Sequence, residues 1–178
     1  MKGKAFVSYY DQALKLLSNR PHAEKELHQK LQLLSTKRWT RRTMKSKMGM
    51  ESSSIFTNDA TPQDDEAEID AAIQRLKEEG FVNDRDFADW YCMQRESYNP
   101  RSQRVLYLEL VTKGVDPAVV KSSIQDYHSE EDCCRTLALR KVGALSHEKL
   151  VSYLLGKGFR YDTIKTVLKS LPDFSTDC

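Results

Sequence analysis

Ser102, Leu106, Leu110, Lys113, Gly114, Val120, Lys121 and Ile124 recur 44 residues on as Ser146, Leu150, Leu154, Lys157, Gly158, Ile164, Lys165 and Leu168, with no gap. A repeat of this length marks a supersecondary unit whose copies stack to complete a shared core. It extends back to the start of the chain. With Pro21 placed over Pro100, a shift of 79, Leu27 falls on Leu106 and Leu31 on Leu110. Each unit then holds a leading helix, a Leu-x3-Leu helix and a closing helix. Such stacks mostly offer surface to macromolecules, so the repeat favours a binding protein over an enzyme.

Apolar spacing is helical nearly throughout. Phe6, Tyr9, Ala13 and Leu16 form one stripe, and Leu27, Leu31 and Leu34 another. Thr61-Pro62 reads as a cap with proline at the first helical position, followed by acids that suit a positive helix end and by Gly80 as a stop. Helices are expected at about 102–113, 117–127, 129–142, 146–156 and 161–171, with Gly114 and Gly158 in left-handed terminal positions. No segment alternates like a strand. The expected fold is all-α, three tandem three-helix repeats in an elongated array: residues 1–80, 81–128 and 129–178.

The first repeat carries an interruption over about 35–60. It is rich in Ser, Thr, Met and basic residues and lacks an apolar stripe, so it reads as a long mobile loop. Lys37, Arg38, Arg41, Arg42, Lys45 and Lys47 lie there with Trp39 among them, and no acid stands between Ser35 and Met50. The cluster has two readings, a solvated loop or an arm that orders on nucleic acid or on a protein filament. The acids Asp64, Asp65, Glu66, Glu68 and Asp70 crowd a helix start, which accounts for them better than a metal site does.

Formal net charge is only +2, so bulk charge does not demand a polyanionic partner; local basic surface does allow one. Between Asn99 and Lys169 twelve basic residues face eight acids. No run approaches the roughly 20 apolar residues of a membrane span, and Met1–Asp11 reads as lacking a secretory signal. Cys92, Cys133, Cys134 and Cys178 show no CxxC spacing and read as reduced thiols, with no metal clamp. No nucleophile–base set, phosphate loop or carboxylate pair stands out. Neither catalysis nor a cofactor is expected.

Several strings in their order carry a resemblance. They are Asn19-Arg20-Pro21-His22-Ala23 with Glu26, Leu27, Lys30 and Leu31; Leu76 with Gly80-Phe81-Val82-Asn83-Asp84, Phe87 and Ala88; Glu109-Leu110 with Lys113-Gly114-Val115; and Tyr153-Leu154 with Lys157-Gly158-Phe159, Tyr161, Asp162 and Ile164. In these the chain resembles the RecX family, regulators of the RecA recombinase. Where the family has a short Lys-Gly turn after its first Leu-x3-Leu helix, Leu34 here runs into the basic insert.

The resemblance implies a curved helical protein that binds the RecA filament on single-stranded DNA and lowers its ATPase, strand-exchange and DNA-repair or SOS activity. The partner implied is the filament, with single-stranded DNA as a second partner class. The chain would act as a monomer in the cytoplasm, or in an organelle if a targeting segment has been removed. The alternative is a basic helical-repeat protein acting mainly on DNA phosphates. Candidate contact residues are Arg101, Arg104, Lys113, Lys141, Lys157 and Arg160, at helix ends or on polar faces, each of which also reads as plain solvated surface. Lys37, Arg38, Trp39, Arg41, Arg42, Lys45 and Lys47 form the candidate arm.

Overall fold

The computed structural model describes residues 8–47 and 62–171, with side chains placed outside 41–47 and 62–63. Among the described residues every regular element is a helix: α1 (Tyr9–Leu17), α2 (Glu24–Lys47), α3 (Pro62–Glu78), α4 (Asp84–Tyr98), α5 (Gln103–Thr112), α6 (Pro117–Tyr127), α7 (Glu130–Leu139), α8 (His147–Gly156) and α9 (Tyr161–Lys169). The all-α reading holds. Residues 1–83 and 84–178 form two compact units.

In the first unit α1, α2 and α3 pack on one another. Ser8 caps α1 by accepting from the Asp11 backbone N–H at 3.1 Å. Tyr9 and Ala13 of α1 meet Leu27 and Leu31 of α2 and Ile69, Ile73 and Leu76 of α3, all buried. The spacing of each set, three or four residues apart, puts it on one helix face. Removing such apolar surface from water stabilises the trio by about 25 cal/mol per Å². Polar pairs fix α2 antiparallel to α3: Glu24 with Lys77 at 2.8 Å, His28 with Asp70 at 2.9 Å, and Ser35 donating to Asp65 at 2.7 Å.

The loop expected from Ser35 does not begin there. α2 continues to Lys47, so Lys37, Arg38, Trp39, Arg41, Arg42, Lys45 and Lys47 all stand on a helix; residues 48–60 of that expected loop lie outside the described residues. An apolar stripe reports which face is buried, and the helix runs on past its last apolar residue, Leu34. Helix formation needs no stripe where Lys, Arg, Gln and Met are frequent and no Gly or Pro occurs between Ala23 and Met48.

The second unit holds two further trios, α4–α6 and α7–α9, each closed among its own three helices. Phe87, Tyr91, Leu106, Leu110, Val120 and Ile124 fill the first. Cys133, Leu137, Leu150, Leu154, Phe159, Ile164 and Leu168 fill the second. Arg85 ties α4 to α6 by donating to Ser122 at 2.7 Å and to Asp126 at 2.6 Å.

Equivalent turns close the middle helices. The Val115 N–H donates to the Leu110 carbonyl at 3.2 Å and the Phe159 N–H to the Leu154 carbonyl at 3.3 Å. Gly114 and Gly158 take φ of 96° and 92° there, the left-handed position expected of them. Such a turn satisfies carbonyls the helix end would leave unpaired.

Candidate partner-binding surface

The trios of the second unit meet at the start of α5. His128 ends α6 and donates through Nε2 to the Arg101 carbonyl at 2.8 Å. The Gln103 N–H donates to Glu130 at 2.8 Å, pairing the first turn of α5 with that of α7. Gly158, in the α8–α9 turn, sits against Ser102 and Val105: a Cβ there would lie 2.6 Å from Ser102 Oγ and 2.5 Å from Val105 Cγ2. Ser102 is fully buried and its hydroxyl also caps α5 through the Val105 N–H at 3.3 Å.

These contacts divide the candidate residues. Arg101 is half-buried, its carbonyl engaged by His128 and its Nε shielded from solvent without a hydrogen bond. Its placement is structural as much as superficial. Arg104, in the first turn of α5, and Arg160, the residue before α9, are both exposed.

Lys141 and Lys157 come together. They stand 16 residues apart, in the turn after α7 and at the end of α8, yet their ammonium groups lie 5.9 and 5.2 Å from the centre of the Tyr153 ring. That range is favourable for a cation over an aromatic face. Among the described residues neither lysine forms an ion pair.

The same position in the preceding repeat is built differently. Lys113 ends α5 as Lys157 ends α8, and it stands 5.6 Å from the Tyr91 ring. Arg95, which sequence patterning did not single out, lies 4.9 Å from that ring and pairs with Glu109 at 3.0 Å. Tyr91 donates to Glu109 at 2.9 Å and accepts from Arg95 at 2.6 Å. Burial first, then the Glu109 bond, holds the Tyr91 hydroxyl above its ordinary pKa against the opposing effect of Arg95. The four-residue step from Tyr91 to Arg95 on one helix face was the available signal.

Glu109 and Tyr153 occupy equivalent repeat positions. The second trio therefore carries two cations against an acid, and the third carries two cations against a ring. Concentrated positive charge falls at Lys141 and Lys157, with Lys113 offering a weaker copy.

The sulfur chemistry is quiet. Cys92, Cys133 and Cys134 are buried and unpaired, and burial above all pushes their thiols up to about 12, 12 and 11. A thiol so raised is almost wholly protonated at neutral pH and a poor nucleophile or metal ligand. Cys178 lies outside the described residues. An open depression of 340 Å³ is lined by Met93, Glu96, Gln125, Asp126, Tyr127, His128 and Ser129. Its Asp126 is held by Arg85 and its His128 by the Arg101 carbonyl.

Among the described residues no helix is long and apolar enough to cross a membrane. The insert residues 37–47 stand on α2. Lys37 and Trp39 are exposed and Arg38 is half-buried, its guanidinium 5.9 Å from the Tyr9 ring.

No family model matches the chain. It is similar to the regulatory protein RecX of Chlorobium phaeobacteroides (strain BS1), with 26% identity over 168 residues, 91% of this chain and 92% of that protein. It is also 26% identical over 121 residues to the regulatory protein RecX of Bacillus thuringiensis (strain Al Hakam), a match covering 63% of this chain and 45% of the relative. The match thus spans less than half the length of the Bacillus protein. The crystal structure of RecX from Lactobacillus salivarius superposes with a TM-score of 0.60 over 95% of this chain and 96% of that one, at 21% identity. A second crystal structure, of a regulatory protein RecX, gives 0.60 over 89% and 69%, at 15% identity. Likeness to the Chlorobium protein runs almost end to end and two solved RecX structures share the helical fold, so this chain is similar to the RecX regulatory proteins.

Proposed function

We propose that this chain regulates a RecA-type recombinase by binding its nucleoprotein filament, lowering ATP hydrolysis, strand exchange and the repair and SOS responses that depend on them. The observation that carries the reading is the near end-to-end likeness to a protein named as a RecX regulator. Repeat geometry supports it. Three trios, proposed as residues 1–80, 81–128 and 129–178, repeat a structural unit as a filament repeats a protomer. The protein acts by contact, as a monomer in the cytoplasm, and performs no chemistry of its own. Lys141 and Lys157 over Tyr153 are the proposed centre of the contact, with Lys113, Arg104 and Arg160 around it.

The test is recombinase ATPase and strand exchange on single-stranded DNA, with and without the protein, at physiological salt. Inhibition is expected. Lys141→Glu with Lys157→Glu should weaken it at least about tenfold, because rim charges reversed against a complementary surface repel it. No effect of the wild-type protein on ATP hydrolysis defeats the proposal. Full inhibition by a folded double variant removes these lysines from the contact.

A further inference from the structure

We propose that Lys141, Tyr153 and Lys157 form a receptor for a carboxylate, an Asp or Glu side chain carried on an acidic protein surface. The inference deepens the reading above, on which it rests for the choice of surface, by naming the group that surface takes. It comes from setting one repeat beside the next.

The second and third trios match position by position. Ala88, Tyr91 and Cys92 are buried on α4 as Cys134, Leu137 and Ala138 are on α7. That pattern is offset by 46 residues, which places Arg95 over Lys141. In the middle helices the offset is 44, which places Glu109 over Tyr153 and Lys113 over Lys157. Each trio thus brings two cations from corresponding positions to a tyrosine ring. Arg95 and Lys113 stand 4.9 and 5.6 Å from the Tyr91 ring, and Lys141 and Lys157 stand 5.9 and 5.2 Å from that of Tyr153.

The second trio shows what such an arrangement holds. Glu109 lies 3.0 Å from Arg95 and accepts from the Tyr91 hydroxyl at 2.9 Å. One carboxylate answers a cation and a phenol together, and bonds to an ionised acceptor are about twice as strong as neutral ones.

The third trio has a tyrosine where that acid stands. Among the described residues Lys141 and Lys157 form no ion pair, and the Tyr153 hydroxyl makes no hydrogen bond. Ammonium groups only donate, and a phenol has a donor to give. These are the kinds of donor that Glu109 satisfies one repeat earlier, so the ligand they fit is a carboxylate from another molecule.

The same comparison argues against a nucleic-acid strand. A phosphate backbone is tracked by cations repeated along a groove, and at the corresponding point of the preceding trio Arg95 is already countered by Glu109. One exposed carboxylate alone is held weakly. The acid therefore belongs to a protein surface that adds further contacts.

The experiment follows anisotropy of fluorescein-labelled oligoglutamate with the full-length protein at low salt, without recombinase, beside oligodeoxythymidine of equal charge. Lys141→Gln/Lys157→Gln should weaken the peptide about tenfold, through lost charge-assisted bonds, and the oligonucleotide less. Tyr153→Glu keeps both lysines and gives the third trio an acid of its own, so it should weaken the peptide as much. Carbodiimide, which joins carboxylates to amines, should couple the peptide to Lys141 or Lys157, as located by mass spectrometry.

The proposal fails if the lysine variant, with unchanged circular dichroism, binds the peptide as wild type does. It fails equally if a folded Tyr153→Glu retains wild-type affinity, or if carbodiimide couples the peptide to neither lysine. A lysine variant that loses more oligonucleotide than peptide affinity would make this a site for phosphate and overturn it. Peptide binding without any effect on recombinase ATPase would defeat the filament reading alone. Inhibition that depends on the two lysines, with no peptide bound there, would defeat this inference alone.

Discussion

Gly158 leaves room for Ser102: a methyl group at Gly158 would approach the Ser102 hydroxyl to 2.6 Å, inside any normal contact. The glycine thus serves two needs. Its φ of 92° ends α8 in the left-handed region, and its missing side chain lets the α8–α9 turn seat on the start of α5.

Gly158→Ala should therefore cost more than the same change at Gly143, whose φ is 78° but whose Cβ would meet nothing within 4 Å. Gly143→Ala carries only the left-handed penalty, about 1–2 kcal/mol. Gly158→Ala adds overpacking of about 1–3 kcal/mol. Urea midpoints of the two variants check the order. Equal losses would mean that the Ser102 contact relaxes freely.

Arg101 and Arg104 stand three residues apart and part company on substitution. Arg104→Glu changes an exposed side chain and should stay within about 0.5 kcal/mol of wild type. Arg101→Glu places a carboxylate where Nε is now shielded from solvent, at a cost of about 1–3 kcal/mol. Chemical denaturation measures both. Arg101 is thus a poor choice for charge reversal, since lost activity there would report lost packing.

His22 makes the first unit sensitive to acid. Its Nδ1–H donates to the Arg20 carbonyl at 2.9 Å, and its Nε2 accepts from Lys30 at 2.7 Å. Protonating Nε2 would break the second bond and set two cations together. Burial first, then Arg20 and Lys30, hold the imidazole below its usual pKa of 6.5, against weaker pulls from the Arg20 carbonyl and Glu26. The sign follows by linkage. Below pH 6.5 the unfolded chain takes up a proton that the folded one refuses, so stability falls as pH falls from 6.5 toward the lowered value. Above pH 6.5 both states are neutral and the effect vanishes. Denaturation midpoints between pH 7.5 and 5.5 should drop less for His22→Gln than for wild type. An equal drop would assign the acid sensitivity elsewhere.

Most of the helical plan was legible without coordinates, because its signals are local. Leu106 and Leu110, or Leu150 and Leu154, announce a buried face by their four-residue spacing, and all are fully buried. Gly114 and Gly158 announce helix ends because a residue with a Cβ resists positive φ. Where the signal measured something else, the reading failed. The apolar stripe of α2 stops at Leu34, while the helix goes on to Lys47 through residues of good helix propensity.

The sequence by itself determined that the described residues are helical and where glycine turns end their helices, because apolar periodicity and glycine turns act over one or two helical turns. Tertiary structure alone decided which cations stand together. The four-residue step from Tyr153 to Lys157 was legible, but nothing in the spacing joins Lys141 to them; the packing of α7 beside α8 does. It also decided that Arg101 is drawn into a junction while Arg104 faces water. A polar side chain carries no pattern that names its neighbours, for its surroundings are set by helices distant in sequence.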